Sequence, residues 1–322
     1  MKVAILGMGA YGIALSKIFY KNENDVSIWT KFRDELDSVK LKRENSAVLP
    51  GIKIPKEIEL TCDMTKCIHK ADIIVVAIPM NALREVLKEL NEVVQKEQVI
   101  CLVTKGIESQ TGKFVFDIAS EELENKNICM LSGPSIANEI ASSSVVGMSV
   151  ASLSNYSNLT LKVCLENNEF IISTTDDVVG VQVASSIKNV FAILCGYMDG
   201  KKFPDSLKAA VLSKLIADMK SLIIYFGGKE ETLFSYAGLG DMLLTCMSNK
   251  SRNYTFGTLI GEGATPNVAL KNMQVKTVEG LATLEILYKV LQEKNVKIKS
   301  IETLYNIVYK AVSYTHLTLP TI

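Results

Sequence analysis

The first half of the chain alternates short, apolar, β-branched runs with longer amphipathic stretches. The runs predict strands at Lys2–Leu6, Asp25–Trp29, Asp72–Ile78, Gln98–Val103 and Ile128–Leu131. The stretches between them have helical periodicity at Gly12–Lys21, Asn81–Val94 and Lys113–Leu123, with Asn81 as an N-cap. Strands that alternate with helices indicate a parallel, doubly wound, Rossmann-like sheet with right-handed crossovers.

The pattern changes near residue 179. From there the sequence predicts helices at Val181–Cys195, Ser206–Phe226, Glu230–Tyr236, Asp241–Met247, Tyr254–Ile260 and Glu279–Glu293. The predicted fold is therefore α/β, with a doubly wound domain over 1–178 followed by an all-helical C-terminal domain over 179–312. Residues 313–322 are rich in threonine and have no helical period, so we interpret them as a non-native tail and set them aside.

Composition limits the classes of partner. The 35 basic and 35 acidic residues cancel, which favours neither nucleic acid nor an anionic membrane and leaves any anion site to a local cluster. The longest apolar run, Ile73–Met80, is only strand-length, so no membrane span is expected. The 7 cysteines include no C-x-x-C pair and mostly lie in apolar runs. They are interpreted as buried thiols of a cytoplasmic protein.

Histidine is scarce, which restricts the chemistry. The chain has 2 histidines, His69 and His316, and His69 follows a polar stretch typical of a surface loop. A histidine-based acid/base pair or metal site is not expected, and no metal is predicted.

A glycine-rich turn follows the first predicted strand. Gly7, Gly9 and Gly12 form a G-x-G-x-x-G motif between that strand and a helix expected to begin at Ile13. In such a turn the first glycine permits the bend, the second admits a pyrophosphate and the third lets the helix pack on the strand. The motif predicts a dinucleotide-binding domain.

The end of the second predicted strand carries cations where an NAD-selective site has a carboxylate. Lys31 and Arg33 follow Trp29, and two cations could accept the 2′-phosphate of NADP. The sequence therefore favours NADP or dual use with NAD. The alternative is that both are solvated loop charges.

Two lysines stand in unusual settings. Lys105 directly follows a predicted strand, where ligands bind in open α/β sheets, and Lys188 is charged within an otherwise apolar helix. A lysine whose pKa is lowered by burial or by a second cation can serve as an acid/base. The alternative for Lys188 is that its stem packs while its ammonium reaches water.

A polar cluster lies in the helical half. Asp241 and Thr245 share one helix face, and Ser251, Arg252 and Asn253 open the next helix. Arg252 could grip a phosphate through two hydrogen bonds. The alternative is a surface loop with a helix cap.

These motifs together resemble the bacterial NAD(P)-dependent glycerol-3-phosphate dehydrogenases. The resemblance runs in order from the first strand to about residue 310. Its segments are Gly7–Gly12, Leu49–Gly51, Val75–Ala82, Lys105–Ile107, Leu131–Ala137 with Glu139, Ile187–Val190, Gly238–Cys246, Ser248–Asn253 and Val278–Gly280.

The resemblance implies an oxidoreductase that transfers hydride reversibly between NAD(P)H and dihydroxyacetone phosphate, giving sn-glycerol 3-phosphate for phospholipid synthesis in the cytoplasm. It implies that Lys188 is the catalytic acid/base. The implied substrate contacts are Lys105, Gly133, Ser135, Lys188, Asn189, Asp241, Thr245, Ser251, Arg252 and Asn253. The implied cofactor contacts are Gly7, Gly9, Ala10, Tyr11, Gly12, Lys31, Lys105, Ala137, Arg252 and Glu279. The expected partner is this small-molecule substrate, and the sequence allows a homodimer.

Some positions depart from the family pattern. Ile136 and Val48 replace aromatic residues, Gln182 replaces a glutamate and 203–207 replaces a Gly/Asn-rich segment. Two rival functions remain: another two-domain, lysine-dependent dehydrogenase, and a dinucleotide sensor without catalysis. The Ser251–Asn253 cluster argues against a plain hydroxy acid substrate, and the retention of both lysines with Asp241 argues against a sensor.

Overall fold

A computed structural model describes residues 1–142, 145–275 and 278–310. The predicted tail, 313–322, and His316 lie outside these residues. The chain divides into two compact units. The first comprises Met1–Thr104 and Val115–Val181, and the second comprises Lys105–Phe114 and the chain from Gln182 onward. The segment from Lys105 to Phe114, which lies inside the predicted domain 1–178, thus packs with the helical unit.

The first unit is built on a sheet whose strand order, among the described residues, is β3-β2-β1-β4-β5-β6-β7-β8. Neighbouring strands are parallel except for β6 and β7. The strands are β1 Lys2–Leu6, β2 Asp25–Trp29, β3 Glu59–Thr61, β4 Ile73–Val76, β5 Val99–Leu102, β6 Ile128–Ser132, β7 Val146–Ala151 and β8 Phe170–Thr175. The doubly wound α/β prediction is confirmed.

Helices cover this sheet: α1 Ala10–Lys21, α2 Arg33–Lys42, α3 Met64–Ile68, α4 Met80–Asn91, α5 Val115–Glu122, α6 Ala137–Ala141 and α7 Asn155–Leu165. The side chains of β4 and, apart from Lys2, those of β1 are buried, since helices lie on both faces of the sheet. The Asn81 cap prediction was wrong. Pro79, at φ −59° and ψ 146°, is the N-cap of α4, because its extended backbone ends there and Met80 can begin the helix.

From Val178 the described chain is helical, as predicted. It contains α8 Val178–Gly200, α9 Asp205–Tyr225, a 3₁₀ turn Glu230–Phe234, a π-helical turn Tyr236–Gly240, α10 Asp241–Met247, α11 Arg252–Gly261, α12 Pro266–Asn272, α13 Glu279–Glu293 and α14 Lys299–Tyr309. No strand occurs among the described residues of this second unit, apart from an isolated bridge between Ile107 and Phe114.

Helix α8 is the core of the second unit. Its 23 residues are long and apolar enough to cross a membrane, but 94% of the most apolar window is buried inside the protein. The expectation that no apolar stretch approaches membrane-spanning length was therefore wrong. The stretch is a core helix that is buried on nearly all sides, and its few polar side chains, such as Lys188, are buried with it.

Helices α8 and α11 cross at very short range. A Cβ atom at Gly257 would lie 2.0 Å from the carbonyl oxygen of Ile193, and one at Gly196 would lie 2.0 Å from that of Tyr254. Only glycine permits this backbone contact. It holds the first residues of α11 alongside the middle of α8.

Two minor predictions from composition are confirmed. All seven cysteines are free, and all are buried except Cys62, which is partly buried. His69 is exposed at the end of α3, where its carbonyl oxygen accepts a hydrogen bond from the ammonium of Lys2.

Candidate active site

The glycine turn joins β1 to α1 in the first unit. Gly7 has φ +123°, and a Cβ atom there would lie 2.3 Å from the carbonyl oxygen of Ala77. A Cβ at Gly12 would lie 2.2 Å from the carbonyl oxygen of Gly7, whereas a Cβ at Gly9 would meet no atom within 4 Å. The protein's own packing thus requires Gly7 and Gly12, while Gly9 faces open space.

The turn presents the amino end of α1. The helix begins at Ala10, three residues before the expected start, because Gly9 takes the N-cap position and Ile13 N–H already donates to its carbonyl oxygen. The N–H groups at Ala10, Tyr11 and Gly12 have no intrahelical acceptor by position, and Gly9 has no side chain to cap them. This end of the helix attracts anions, and the clear surface at Gly9 fits the pyrophosphate of a dinucleotide.

Four predicted site residues of the first unit lie together beside this helix. The hydroxyl groups of Tyr11 and Ser135 are 2.8 Å apart, and Ser135 donates to the carbonyl oxygen of Gly133 at 3.0 Å. Ala137 is the first residue of α6, which packs against α1. The structure therefore joins the predicted cofactor residues Tyr11 and Ala137 to the predicted substrate residues Gly133 and Ser135.

Lys31, just beyond β2, is paired with two carboxylates. Its ammonium lies 2.5 Å from Glu85 Oε1 and 3.2 Å from Glu89 Oε1. Arg33 forms its own ion pair with Asp37 at 3.2 Å. The sequence reasoning missed Glu85 and Glu89, although their spacing of four residues in the helix after β4 puts both on one face.

Lys188 is the centre of the second unit's polar cluster. It projects from α8, is 6% exposed, and its ammonium donates to Asp241 Oδ1 and, at 3.0 Å, to Thr245 Oγ1. Asp241 and Thr245 lie on the same face of α10, one turn apart. The alternative in which the Lys188 ammonium reaches water is excluded by this burial and pairing.

One carboxylate oxygen of Asp241 is left without a hydrogen-bond partner among the described residues. Its carboxylate is 1% exposed, and Oδ2 has no hydrogen-bond partner among the described residues. A buried carboxylate oxygen without a partner costs free energy unless a ligand supplies a donor. The atom therefore fits a hydroxyl group of a bound molecule.

Burial lowers the pKa of Lys188 to about 8. Asp241 opposes this shift by stabilising the ammonium, and the like charge of Lys105 adds to it. A lysine with this pKa can give and accept a proton near neutral pH, which an ordinary lysine cannot do.

Lys105 is held near Lys188 by a backbone contact. The N–H group of Gly106 donates to Ser186 Oγ at 3.1 Å, and Ser186 donates to the Gly106 carbonyl oxygen at 3.3 Å. Ser186 lies on α8 two residues before Lys188. The sequence reasoning missed Ser186, since a serine inside an apolar helix gives no sign that it anchors a distant loop.

The phosphate candidates open α11. Ser251 caps this helix by accepting from Tyr254 N–H, Arg252 is exposed, and Asn253 is buried with its Oδ1 accepting from Gly280 N–H at 2.8 Å. The guanidinium of Arg252 has no ion-pair partner among residues that the structure describes.

Two further predicted residues lie in contact nearby. Asn189 donates to Glu279 Oε2 at 3.0 Å, which joins α8 to the start of α13. The second unit therefore contains Lys188, Asn189, Asp241, Thr245, Asn253 and Glu279 in a connected set of helices, with Arg252 at its exposed end.

The dinucleotide-type sheet and the buried lysine–aspartate pair define a dinucleotide-binding dehydrogenase fold with a helical acid/base site. The family model for the NAD-dependent glycerol-3-phosphate dehydrogenase N-terminus matches residues 2–158, and that for the C-terminus matches residues 177–318. The chain belongs to the NAD-dependent glycerol-3-phosphate dehydrogenase family, as the motifs indicated.

Individual relatives support this family assignment. A protein of Fusobacterium nucleatum named glycerol-3-phosphate dehydrogenase (NAD(P)+) is 33% identical over 312 residues, which are 96% of this chain and 93% of that protein. One of the same name from Enterococcus faecalis is 32% identical over 96% of this chain and 91% of its own length. The crystal structure of glycerol-3-phosphate dehydrogenase from Coxiella burnetii is similar, with TM-score 0.90 and 28% identity over 97% of this chain and 95% of that one.

Proposed function

We propose that this protein is a glycerol-3-phosphate dehydrogenase, which transfers hydride reversibly between NAD(P)H and dihydroxyacetone phosphate to give sn-glycerol 3-phosphate. The observation that carries the proposal is the buried Lys188–Asp241–Thr245 cluster, in which Asp241 Oδ2 is left without a partner. Family membership supplies the substrate class and the use of NAD(P).

Lys188 is the proton donor for ketone reduction. Its ammonium gives a proton to the carbonyl oxygen as that oxygen gains the electron pair of the C=O bond, and the neutral amine remains. In alcohol oxidation the neutral amine takes the hydroxyl proton. A pKa of about 8 serves both directions, because neither protonation state is rare near neutral pH.

Asp241 and Thr245 orient that proton. Each fixes the Lys188 ammonium from the α10 side, so the remaining N–H is directed away from α10. The free Oδ2 of Asp241 accepts a substrate hydroxyl. The carboxylate would thus hold both the lysine and the substrate.

Arg252, with Ser251 and Asn253, holds the substrate phosphate in this proposal. The support is that Arg252 is exposed at the first turn of α11 and that a guanidinium binds a phosphate bidentately. The backbone N–H groups of the same turn add to the attraction. Lys105, Gly133, Ser135 and Asn189 complete the proposed substrate contacts.

The cofactor would lie with its pyrophosphate at Gly9, Ala10 and Tyr11. When bound, the nicotinamide supplies or accepts the hydride at the carbon that bears the reacting oxygen. The other proposed contacts are Gly7, Gly12, Lys31, Lys105, Ala137, Arg252 and Glu279. Holding two reactants in fixed orientation supplies much of the rate enhancement.

The test is a set of initial-rate measurements on the purified protein with dihydroxyacetone phosphate and with dihydroxyacetone, each with NADH and NADPH. Turnover of the phosphorylated ketone together with poor turnover of the free ketone supports the proposal. Turnover of a β-hydroxy acid with NAD(P) instead would establish the rival dehydrogenase. Binding of nucleotide without turnover of any of these would establish the sensor.

Three finer expectations accompany this function. The burial of α8 supports a soluble protein, and we place it in the cytoplasm, where it would supply glycerophospholipid precursor. The expected partner is the small-molecule substrate, without nucleic acid. A homodimer is tested by sedimentation equilibrium of the purified protein.

A further inference from the structure

The ion cluster of Lys31, Glu85 and Glu89 lies where dinucleotide enzymes distinguish NAD from NADP. In this fold the adenosine ribose lies beyond the carboxyl end of β2, and the residue there contacts its 2′ position. Lys31 is the second residue after Trp29, the last residue of β2, and the Trp29 carbonyl oxygen accepts from Gly7 N–H at 2.9 Å. The cation is thus adjacent to the glycine turn.

The Lys31 ammonium is not free to bind a 2′-phosphate, because it is already paired with carboxylates. This ammonium contacts Glu85 at 2.5 Å and Glu89 at 3.2 Å, and both carboxylates come from α4, which follows β4. The hydrogen bonds to Glu85 and then to Glu89 raise the pKa of Lys31, so it stays an ammonium held by two anions. One positive charge between two negative charges leaves a net negative cluster.

Arg33, the other cation predicted to accept a 2′-phosphate, is also paired with a carboxylate. Arg33 pairs with Asp37 on α2, and Glu35 accepts hydrogen bonds from Thr30 and Asn45. The other cations of α2 and α4 are Arg33, Lys40, Lys42, Arg84 and Lys88, and Arg84 is itself paired with Glu121 and Glu122. A 2′-phosphate at Lys31 would therefore meet the two carboxylates that this ammonium already contacts.

We infer that Glu85 and Glu89 are specificity-determining residues that make this protein prefer NAD(H) over NADP(H). They neutralise Lys31 and repel a 2′-phosphate, while a carboxylate beside the ribose accepts its 2′-hydroxyl. The selectivity that a carboxylate at the end of β2 provides elsewhere in this fold comes here from α4. The inference rests on the proposed function for the identity of the cofactors, and it opposes the preference for NADP that Lys31 and Arg33 alone suggest.

The test compares equilibrium dissociation constants for NADH and NADPH, measured by nucleotide fluorescence, in the wild type and in a Glu85→Gln/Glu89→Gln variant. The wild type should bind NADH more tightly. The variant should bind NADPH at least about tenfold more tightly than the wild type does, because two like charges are removed at close range. Adding Lys31→Met to this variant should cancel that gain, since the released cation is what binds the phosphate.

A Glu97→Gln/Glu124→Gln variant is the matched control. It also removes two negative charges, but from exposed loops that precede β5 and β6. These loops lie at the opposite edge of the sheet from the carboxyl end of β2. Its ratio of dissociation constants should equal that of the wild type. If NADPH affinity rose as much in this control as in the Glu85/Glu89 variant, net charge alone would explain the effect, and the inference would be overturned.

The outcomes separate this inference from the proposed function. A wild type that reduces dihydroxyacetone phosphate but prefers NADPH, or whose preference is unchanged in the Glu85/Glu89 variant, overturns the inference alone. A wild type that binds NADH, responds to the variants as expected and reduces no dihydroxyacetone phosphate overturns the proposed function alone. Because the selectivity is electrostatic at an exposed site, it should also weaken as salt is added.

Discussion

The glycine turn and the lysine cluster are built on opposite principles. At the turn the groups proposed to bind the cofactor are backbone N–H groups, and the residues that shape it lack a side chain: Gly7, Gly9 and Gly12. The lysine cluster consists of buried charged side chains from helices far apart in the sequence. The first kind of site tolerates almost any surrounding side chains, whereas the second depends on every member of its network.

The largest expected effect comes from removing the central member of that network. Lys188→Met should lower kcat for dihydroxyacetone phosphate by about 10²–10⁴, the usual loss for an acid–base group, while methionine keeps most of the packing in α8. NADH binding by the first unit should change less than about threefold, because no backbone N–H of the turn is touched.

Lys289→Ala serves as the control, since this lysine is exposed and pairs with Glu285 on the surface of α13. It should retain wild-type rates. If Lys188→Met kept more than about a tenth of the wild-type kcat, well outside the span for acid–base loss, the role of Lys188 would be wrong. A thermal melt of each variant checks that it is folded.

The phosphate contact gives the next largest effect. Arg252→Ala should reduce kcat/KM for dihydroxyacetone phosphate by roughly a hundredfold and barely affect unphosphorylated dihydroxyacetone, because a charged hydrogen-bond pair is lost. Both kcat and KM should change, since binding energy from the phosphate helps to orient the carbonyl group.

Arg252→Lys is the companion variant. A lysine keeps the charge but cannot make two parallel hydrogen bonds, so an intermediate loss is expected. Should Arg252→Ala discriminate between the two ketones as strongly as the wild type does, the phosphate binds elsewhere, and Lys105 with Gly133–Ser135 becomes the preferred site.

The glycine turn is tested by two substitutions, one expected to weaken cofactor binding and the other to lower stability. Gly9→Ala should fold normally, because its Cβ meets no protein atom, but should bind NADH about tenfold more weakly if the pyrophosphate lies against it. Gly12→Ala should lower the melting temperature by several degrees, because its Cβ would lie 2.2 Å from the Gly7 carbonyl oxygen. Gly9→Ala with wild-type NADH affinity would move the pyrophosphate away from this turn.

The smallest effect is a displacement of the pH profile. For ketone reduction the lysine must be protonated, so kcat/KM should fall as the pH rises through about 8, and for alcohol oxidation it should rise over the same range. Lys105→Met removes a like charge, which should raise the pKa of Lys188 and move both limbs to higher pH. Asp241→Asn removes an opposite charge and should move them to lower pH. Limbs that stay fixed in both variants would mean that Lys188 is not the titrating group.

The sequence predicted the parts of this protein that depend on local pattern. The glycine turn, β1, β2 and α10 follow from short runs of residues whose spacing has one physical meaning. β8 was missed because it is half-buried, with Ile171 exposed between two buried neighbours. α2 was missed because its sequence is mostly charged and buries little more than Leu36 and Val39.

The site was predicted as a set of residues but not as a network. Lys188, Asp241 and Thr245 were identified from motifs, yet nothing local shows that Asp241 keeps one buried oxygen without a partner. Likewise the sequence predicts a cation, Lys31, at the end of β2, and only the packing of α4 beside it shows that two carboxylates pair with this cation. Local sequence patterns do not show which residues that are distant in the chain will form ion pairs.

The burial of α8 has a consequence for synthesis on the ribosome. Residues of α10, α11 and α13 pack against it, and the closest crossing needs Gly257. These helices leave the ribosome after α8. At ordinary elongation rates the apolar surface of α8 therefore stays uncovered for a time on the order of seconds. A nascent chain that stalls before Gly261 would carry an uncovered apolar helix, and chaperones would have to shield that helix until elongation resumed.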